Sequence, residues 1–293
     1  MTTEKRALVL GGATGLLGQA LVETLRAADW EVVATGRNTL NTMGPHIAED
    51  LTALVEEARP SCIFNTVAYT QVDAAEDNPH EAGLLNASFP AVLGRIVKQH
   101  PCHLVHYSTD FVFNGKKRTA YTVEDQPDPL NVYGSSKLSG ENALLRLELP
   151  RCSIIRTAWL FGPGKGNFVR TILNKCKEKP MLSVVDDQIG SPTYTLDLAS
   201  YSLRIVEVGA TGLFHGVNSG QASWCEFADE AVRLAQMECV INSVPSSAYP
   251  QKAVRPGWSV LDPESLTRAT GIVPRPWPQA LRDYIFRDFP PEG

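Results

Sequence analysis

Tyr133 and Lys137 stand four residues apart in Tyr133-Gly134-Ser135-Ser136-Lys137, which runs on into the helix-like stretch Leu138–Ala143. Four residues along a helix return to the same face, so a phenol and an ammonium would point into one site. A free tyrosine keeps its proton up to a pH of about 10. A neighbouring ammonium stabilises the phenolate, lowers that value and makes Tyr133 a usable acid–base for a carbonyl/alcohol pair. The spacing by itself also fits a chance surface pair. Its weight comes from two segments upstream. His106-Tyr107-Ser108-Thr109-Asp110-Phe111 closes an apolar run, and Thr109 there could hydrogen-bond a reacting oxygen; a turn-forming Ser-Thr-Asp cluster is the plainer alternative.

The second segment is Gly11-Gly12-Ala13-Thr14-Gly15-Leu16-Leu17-Gly18, directly after the first apolar run. Glycines at 12, 15 and 18 depart from the GxGxxG spacing but serve the same mechanics: a tight turn, backbone close to a diphosphate, and a helix packed against a sheet. The helix N-terminus then offers unpaired N–H groups to phosphates, so a nicotinamide dinucleotide is expected, with Lys137 positioned to hold its ribose. The second run ends in Ala34-Thr35-Gly36-Arg37-Asn38, with no acidic residue. Arg37 favours a 2′-phosphate and hence NADPH, with NADH as the alternative; a solvated surface arginine competes with that reading.

These residues need a scaffold. Runs rich in β-branched residues at Ala7–Leu10, Glu31–Thr35, Ser61–Ala68, His103–Ser108 and Cys152–Trp159 have strand length. Between them Gly15–Ala28, Leu51–Ala58 and Glu81–Gln99 have helical spacing. The alternation predicts an α/β fold: a Rossmann-like, doubly wound parallel sheet with helices on both faces. After Trp159 the rhythm changes to loops at 162–166 and 188–193 and helices over Asn167–Lys179, Ser223–Gln236 and Pro278–Phe286. We expect a Rossmann part over 1–160 and a smaller substrate-binding lobe over 161–293, with a soft boundary across which the chain could return to the sheet.

The 293 residues, 43% hydrophobic and 20% charged, suffice for a large core without metal or disulfide staples. With 27 basic and 32 acidic residues the net charge is −5, which excludes a broadly basic nucleic-acid binder. Six cysteines without a CxxC point to a reducing cytoplasm. Met1–Leu10 is too short for a secretory apolar region, and no apolar run reaches membrane-spanning length. His100, His103 and His106 lie near Cys102, but residues three apart on a strand face opposite sides, so no metal is expected. Trp224, Trp258 and Trp277 read as packing residues, and Lys165, Arg170, Lys175, Lys177 and Lys179 as a solvated face, part of which could meet a diphosphate.

The chain resembles the extended short-chain dehydrogenases/reductases, and among them the dTDP-4-dehydrorhamnose reductases. The segments that carry the likeness are Gly12–Gly18, NTVAYTQVDAAE at 65–76, Leu85-Asn86-Ala87, HYSTDFVF at 106–113, PLNVYGSSKLSGE at 129–141, Arg156–Trp159, Gly164–Phe168, DQIGSPT at 187–193, Arg255-Pro256 and Gly271–Leu281. The resemblance implies reduction of the 4-keto carbon of a dTDP-6-deoxyhexose to give dTDP-L-rhamnose. It further implies Tyr133 as proton donor, tuned by Lys137 and assisted by Thr109. It places Asp110 and Trp159 against the sugar nucleotide, and Ala68, Tyr69, Thr70 and Tyr107 against the cofactor. The expected adenine contact departs from the family, with Gly44-Pro45 at that place and Asp50-Leu51 further on. Gly18-Gln19-Ala20-Leu21 lacks the glutamate through which some members bridge subunits by Mg²⁺. Oligomeric state stays open between monomer and homodimer. Two alternatives also stand: a reductase or epimerase of another nucleotide sugar, and a non-catalytic NADP-binding subunit similar to the regulatory β subunit of methionine adenosyltransferase. Dehydration of the 4,6 type is disfavoured, because Phe111 stands where an acidic pair would follow Thr109.

Overall fold

The computed structural model describes residues 5–289; residues 1–4, the start of the N-terminal segment read above, and 290–293 lie outside the described residues. In chain order the first half runs β1 (Arg6–Leu10), α1 (Leu16–Ala27), β2 (Glu31–Ala34), α2 (Ile47–Ala58), β3 (Cys62–Asn65), α3 (Val72–Asp77) and α4 (Pro79–Gly83). A π-turn (Leu84–Ser88), α5 (Phe89–Val97), β4 (His103–Thr109), a 3₁₀ turn (Asp110–Val112), α6 (Val132–Leu145) and β5 (Cys152–Thr157) follow.

The second half adds β6 (Leu160–Phe161), α7 (Phe168–Glu178), β7 (Met181–Val185), β8 (Ile189–Gly190), β9 (Thr193–Tyr194) and α8 (Thr195–Val208). It ends with β10 (Gly212–His215), β11 (Ala222–Ser223), α9 (Trp224–Leu234), β12 (Val240–Val244), α10 (Glu264–Thr270) and α11 (Trp277–Asp288).

Six strands form one parallel sheet in the order β10-β5-β4-β3-β1-β2. Alternation along β1 shows why the strand is apolar after Arg6: Ala7 and Val9 join a core shared with α1 and α8, while Leu8 and Leu10 join the opposite core with α2 and α5. A third core gathers Phe161, Tyr194, Phe227 and Tyr284 beneath α7, α9 and α11. The chain beyond residue 160 serves both parts, because α8 packs on the sheet and β10 pairs with β5 before the chain returns to the lobe. All six cysteines are free thiols, and no helix among the described residues is long and apolar enough to cross a membrane.

The single helix expected over Glu81–Gln99 is instead three pieces: α4, the π-turn and α5. The interruption centres on Asn86, which is fully buried. Its Nδ2 donates to the Tyr69 carbonyl (3.1 Å) and to Ser136 Oγ (2.9 Å), and its Oδ1 accepts from the Tyr69 N–H (2.8 Å). A side chain committed to two other elements accounts for the wider turn, and π-turns of this kind concentrate at functional sites.

Candidate active site

Helix α6 carries the tyrosine–lysine pair, and its start is fixed by two caps. Asn131 Oδ1 accepts the Gly134 N–H at 2.8 Å, and Glu76 Oε1 accepts the Val132 N–H at 2.8 Å. Deeper in α6, a Cβ on Gly140 would stand 2.1 Å from the Asn86 carbonyl oxygen, so the helix lies directly on the π-turn. Tyr133 in the first turn thereby faces the carboxyl edge of β4, and its ring meets Phe111 edge-on at 5.9 Å.

Two cavities open at that edge. One of about 490 Å³ brings together Thr109, Asp110, Tyr133, Lys137 and Trp159, with Gly15–Gly18, Ala68, Thr70 and Tyr107 around them. The second, about 700 Å³, is lined by Gly11, Gly15, Ala68 and Arg37. Two expected residues line neither. Gly12 is buried against Val9 of β1, where an added Cβ would lie 2.9 Å from the Val9 side chain. Tyr69 has both backbone groups bound to Asn86, as above. The turn is shaped instead by Gly11, left-handed at φ 83°, and by Gly18, whose added Cβ would fall 2.6 Å from the Gly11 carbonyl oxygen. Neither Gly44-Pro45 nor Asp50-Leu51 lines the larger cavity; Leu40 and Leu85 supply its apolar wall.

Lys137 is 3% exposed, and its ammonium donates to the Tyr107 carbonyl at 2.5 Å. Burial pulls its pKa down to about 8, against Glu141 one turn further on, which raises it. Tyr133 differs from the sequence expectation. Desolvation pushes its phenol up to about 12, a hydrogen bond with Thr109 opposes this, and Asp110 adds to it. The ammonium bonds to a carbonyl rather than to the phenol, so burial decides the sign. Asp110 is pushed up to about 6 by burial, with hydrogen bonds from Ser259 and Thr109 drawing it back. Thr109 Oγ1 donates to Asp110 Oδ1 at 3.0 Å and accepts the Phe111 N–H at 3.2 Å. Ser108 Oγ and Thr157 Oγ1 are buried on the same wall without a partner among the described residues, which suits a ligand rich in hydroxyls.

The structure adds contacts around these residues that the sequence did not show. Trp159 has a left-handed backbone (φ 46°) and lies flat on Trp224, with ring centroids 3.5 Å apart and planes at 6°. A bulky residue there is strained, and the stack holds its indole at the cavity wall. Behind Lys137, Glu141 takes Arg156 in a fork, Nε–Oε1 2.9 Å and Nη2–Oε2 2.7 Å, with the two side chains 1% and 3% exposed. His106, fully buried, faces Asn65 through Nδ1 (3.1 Å), whereas His103 faces Ser153 through Nε2 (2.8 Å).

A family model described as the RmlD substrate binding domain matches residues 6–288. The spore coat polysaccharide biosynthesis protein SpsK of Bacillus subtilis (strain 168) is 39% identical, over 95% of this chain and 96% of its own. The dTDP-4-dehydrorhamnose reductase of Salmonella typhimurium is 35% identical over 96% of this chain and 98% of its own. Among solved structures, dTDP-4-dehydrorhamnose reductase from Bacillus anthracis in complex with NADP superimposes with a TM-score of 0.91 at 32% identity, covering 97% of this chain and 99% of that one. With its glycine turn, its tyrosine–lysine helix and this full-length agreement, the chain belongs to the RmlD substrate binding domain family.

Proposed function

We propose that this protein is an NADPH-dependent reductase of dTDP-4-dehydro-L-rhamnose, converting its 4-keto group to the alcohol of dTDP-L-rhamnose. The observation that carries the reading is the cavity that joins Thr109, Asp110, Tyr133, Lys137 and Trp159 and shares lining residues with the cavity lined by the glycine turn and Arg37.

The residues fit a nicotinamide dinucleotide. The turn from Gly11 to Gly18 leaves room for backbone to approach a diphosphate, Leu40 and Leu85 offer an apolar wall for a base, and Arg37 stands ready for a 2′-phosphate. When bound, the nicotinamide supplies a hydride for the carbonyl carbon. Tyr133, still protonated at neutral pH with its value near 12, gives its proton to the developing alkoxide. The phenolate left behind is stabilised by the buried ammonium of Lys137, which the Tyr107 carbonyl holds in place. Thr109, bonded to the phenol, directs it toward the reacting oxygen, and Asp110 takes sugar hydroxyls. The Trp159 indole, braced by Trp224, closes the far wall and excludes water.

The test is oxidation of NADPH and of NADH at 340 nm with dTDP-4-dehydro-L-rhamnose, with product identification. Formation of dTDP-L-rhamnose, faster with NADPH, supports the proposal. Tight NADPH binding without oxidation would remove it in favour of a regulatory subunit or another sugar.

A further inference from the structure

The two cavities share Gly15, Thr66, Val67, Ala68 and Lys165. The passage between them therefore has the glycine turn and the end of β3 on one side and the 162–167 loop on the other. A dinucleotide carries its diphosphate between its two nucleosides. With adenosine beside Arg37 and nicotinamide beside Tyr133 and Lys137, the diphosphate has to cross this passage. We propose that Lys165, which lines both cavities together with Gly15, is a clamp on the cofactor's diphosphate contributed by the second lobe. The proposal rests on the reading of the two cavities as one dinucleotide site.

The loop is built to present this side chain. Asn167 Nδ2 donates to the Gly162 carbonyl at 2.8 Å and reaches the Lys165 carbonyl at 3.4 Å, while its Oδ1 caps α7 through the Arg170 N–H at 3.2 Å. A Cβ on Gly164 would lie 2.3 Å from Gln19 Oε1, so the loop touches the first turn of α1 just past the glycine turn. Its backbone is thus fixed beside the N–H groups that await a phosphate, while the Lys165 ammonium has no hydrogen-bond or ion-pair partner among the described residues. Arg170, in the same basic stretch, is already paired with Asp288 at 3.0 Å. Among the described residues, Arg37 and Lys165 are the cations that line the larger cavity, and no carboxylate lines it. A compact ammonium on a flexible stem, opposite a helix N-terminus, can meet either phosphate from the solvent side.

Lys165 is exposed, so substitution leaves the fold intact and the charge effect is screened. The experiment measures Kd for NADPH in wild type, Lys165→Gln and Lys165→Arg, at low and at physiological ionic strength. Adenosine 2′-monophosphate serves as a probe without a diphosphate, and dTDP as a probe for the sugar-nucleotide side. We expect Lys165→Gln to weaken NADPH by about five- to tenfold at low salt and by less at physiological salt. Lys165→Arg should stay near wild type, and adenosine 2′-monophosphate and dTDP should bind all three proteins alike. NADPH binding within about twofold of wild type in Lys165→Gln overturns the clamp. A loss confined to dTDP overturns it in favour of the substrate's diphosphate, and an equal loss for adenosine 2′-monophosphate shows only a general field effect and also overturns it. Failure of the wild type to bind NADPH would instead remove the cofactor reading on which the clamp depends.

Discussion

The pair Glu141–Arg156 offers a quantitative test of how the catalytic helix is held. Glu141→Gln keeps the side-chain shape but removes the negative charge, and its amide places an N–H group against a guanidinium that also donates. Both side chains are almost fully buried, 1% and 3% exposed, and joined by hydrogen bonds of 2.9 and 2.7 Å. Breaking such a pair leaves a buried charge uncompensated and costs about 3–5 kcal/mol. That is a large part of the roughly 5–15 kcal/mol that keeps a domain folded. The Phe113 ring under the guanidinium, 5.1 Å from its centre, recovers little of the loss. Replacing both partners together, as Glu141→Leu with Arg156→Met, removes the orphaned charge and should cost far less than the single change.

The same substitution reaches the reaction through Lys137. Glu141 raises the lysine's pKa against the burial that brings it to about 8, so its loss lowers that value further and the ammonium disappears at lower pH. Chemical denaturation measures the first effect, and the pH dependence of kcat measures the second as an alkaline limb moved to lower pH. A single variant within about 1 kcal/mol of wild type, or a double variant as unstable as the single one, would refute the account of the pair. An unmoved alkaline limb would refute its link to Lys137.

Two further substitutions probe the cavity walls. Burial raises Asp110 from 3.8 to about 6, so between those values the folded state binds the proton more tightly than the unfolded state, and stability falls as pH rises through that window. Asp110→Asn should abolish that fall, gaining about 1–3 kcal/mol over wild type at pH 7 relative to pH 4, in urea titrations at the two values; parallel pH dependences would contradict the assignment. Trp224→Ala removes the 3.5 Å stack beneath Trp159 and should raise KM for the nucleotide sugar by about tenfold while leaving the NADPH Kd unchanged. Equal losses in both constants would show that Trp224 supports the fold rather than the indole wall.

The central strands were legible because they lie between two cores: β1 is apolar from Ala7 to Leu10, with Ala7 and Val9 in one core and Leu8 and Leu10 in the other, and every residue of His103–Thr109 is buried. Helix α8 was harder to see. Ser202 sits buried on it, donating to the Leu198 carbonyl and accepting from the Tyr107 hydroxyl, so polar residues interrupt the apolar stripe that marks a surface helix. Within the site, Tyr133 and Lys137 are neighbours on one helix and their spacing announces them. Lys165 and Gly15 line the same cavities from 150 positions apart in sequence, and Trp224 lies 65 positions beyond Trp159; no local pattern joins either pair. Gly12 fits the expected glycine spacing, yet Gly11 lines the cavity, because the turn needs its left-handed residue one position earlier. The sign of the Tyr133 shift also lay beyond sequence, since it depends on what buries the phenol and on which oxygen Lys137 chooses.

The central claim, that Tyr133 delivers the proton in reduction of a 4-keto sugar nucleotide, is met most directly by one comparison. NADPH oxidation with dTDP-4-dehydro-L-rhamnose is measured for wild type and Tyr133→Phe, with the NADPH Kd of each determined alongside. The account predicts turnover in the wild type, a fall in kcat of about 10²-fold or more in the variant, and little change in Kd. A variant that turns over within a few-fold of wild type would contradict it.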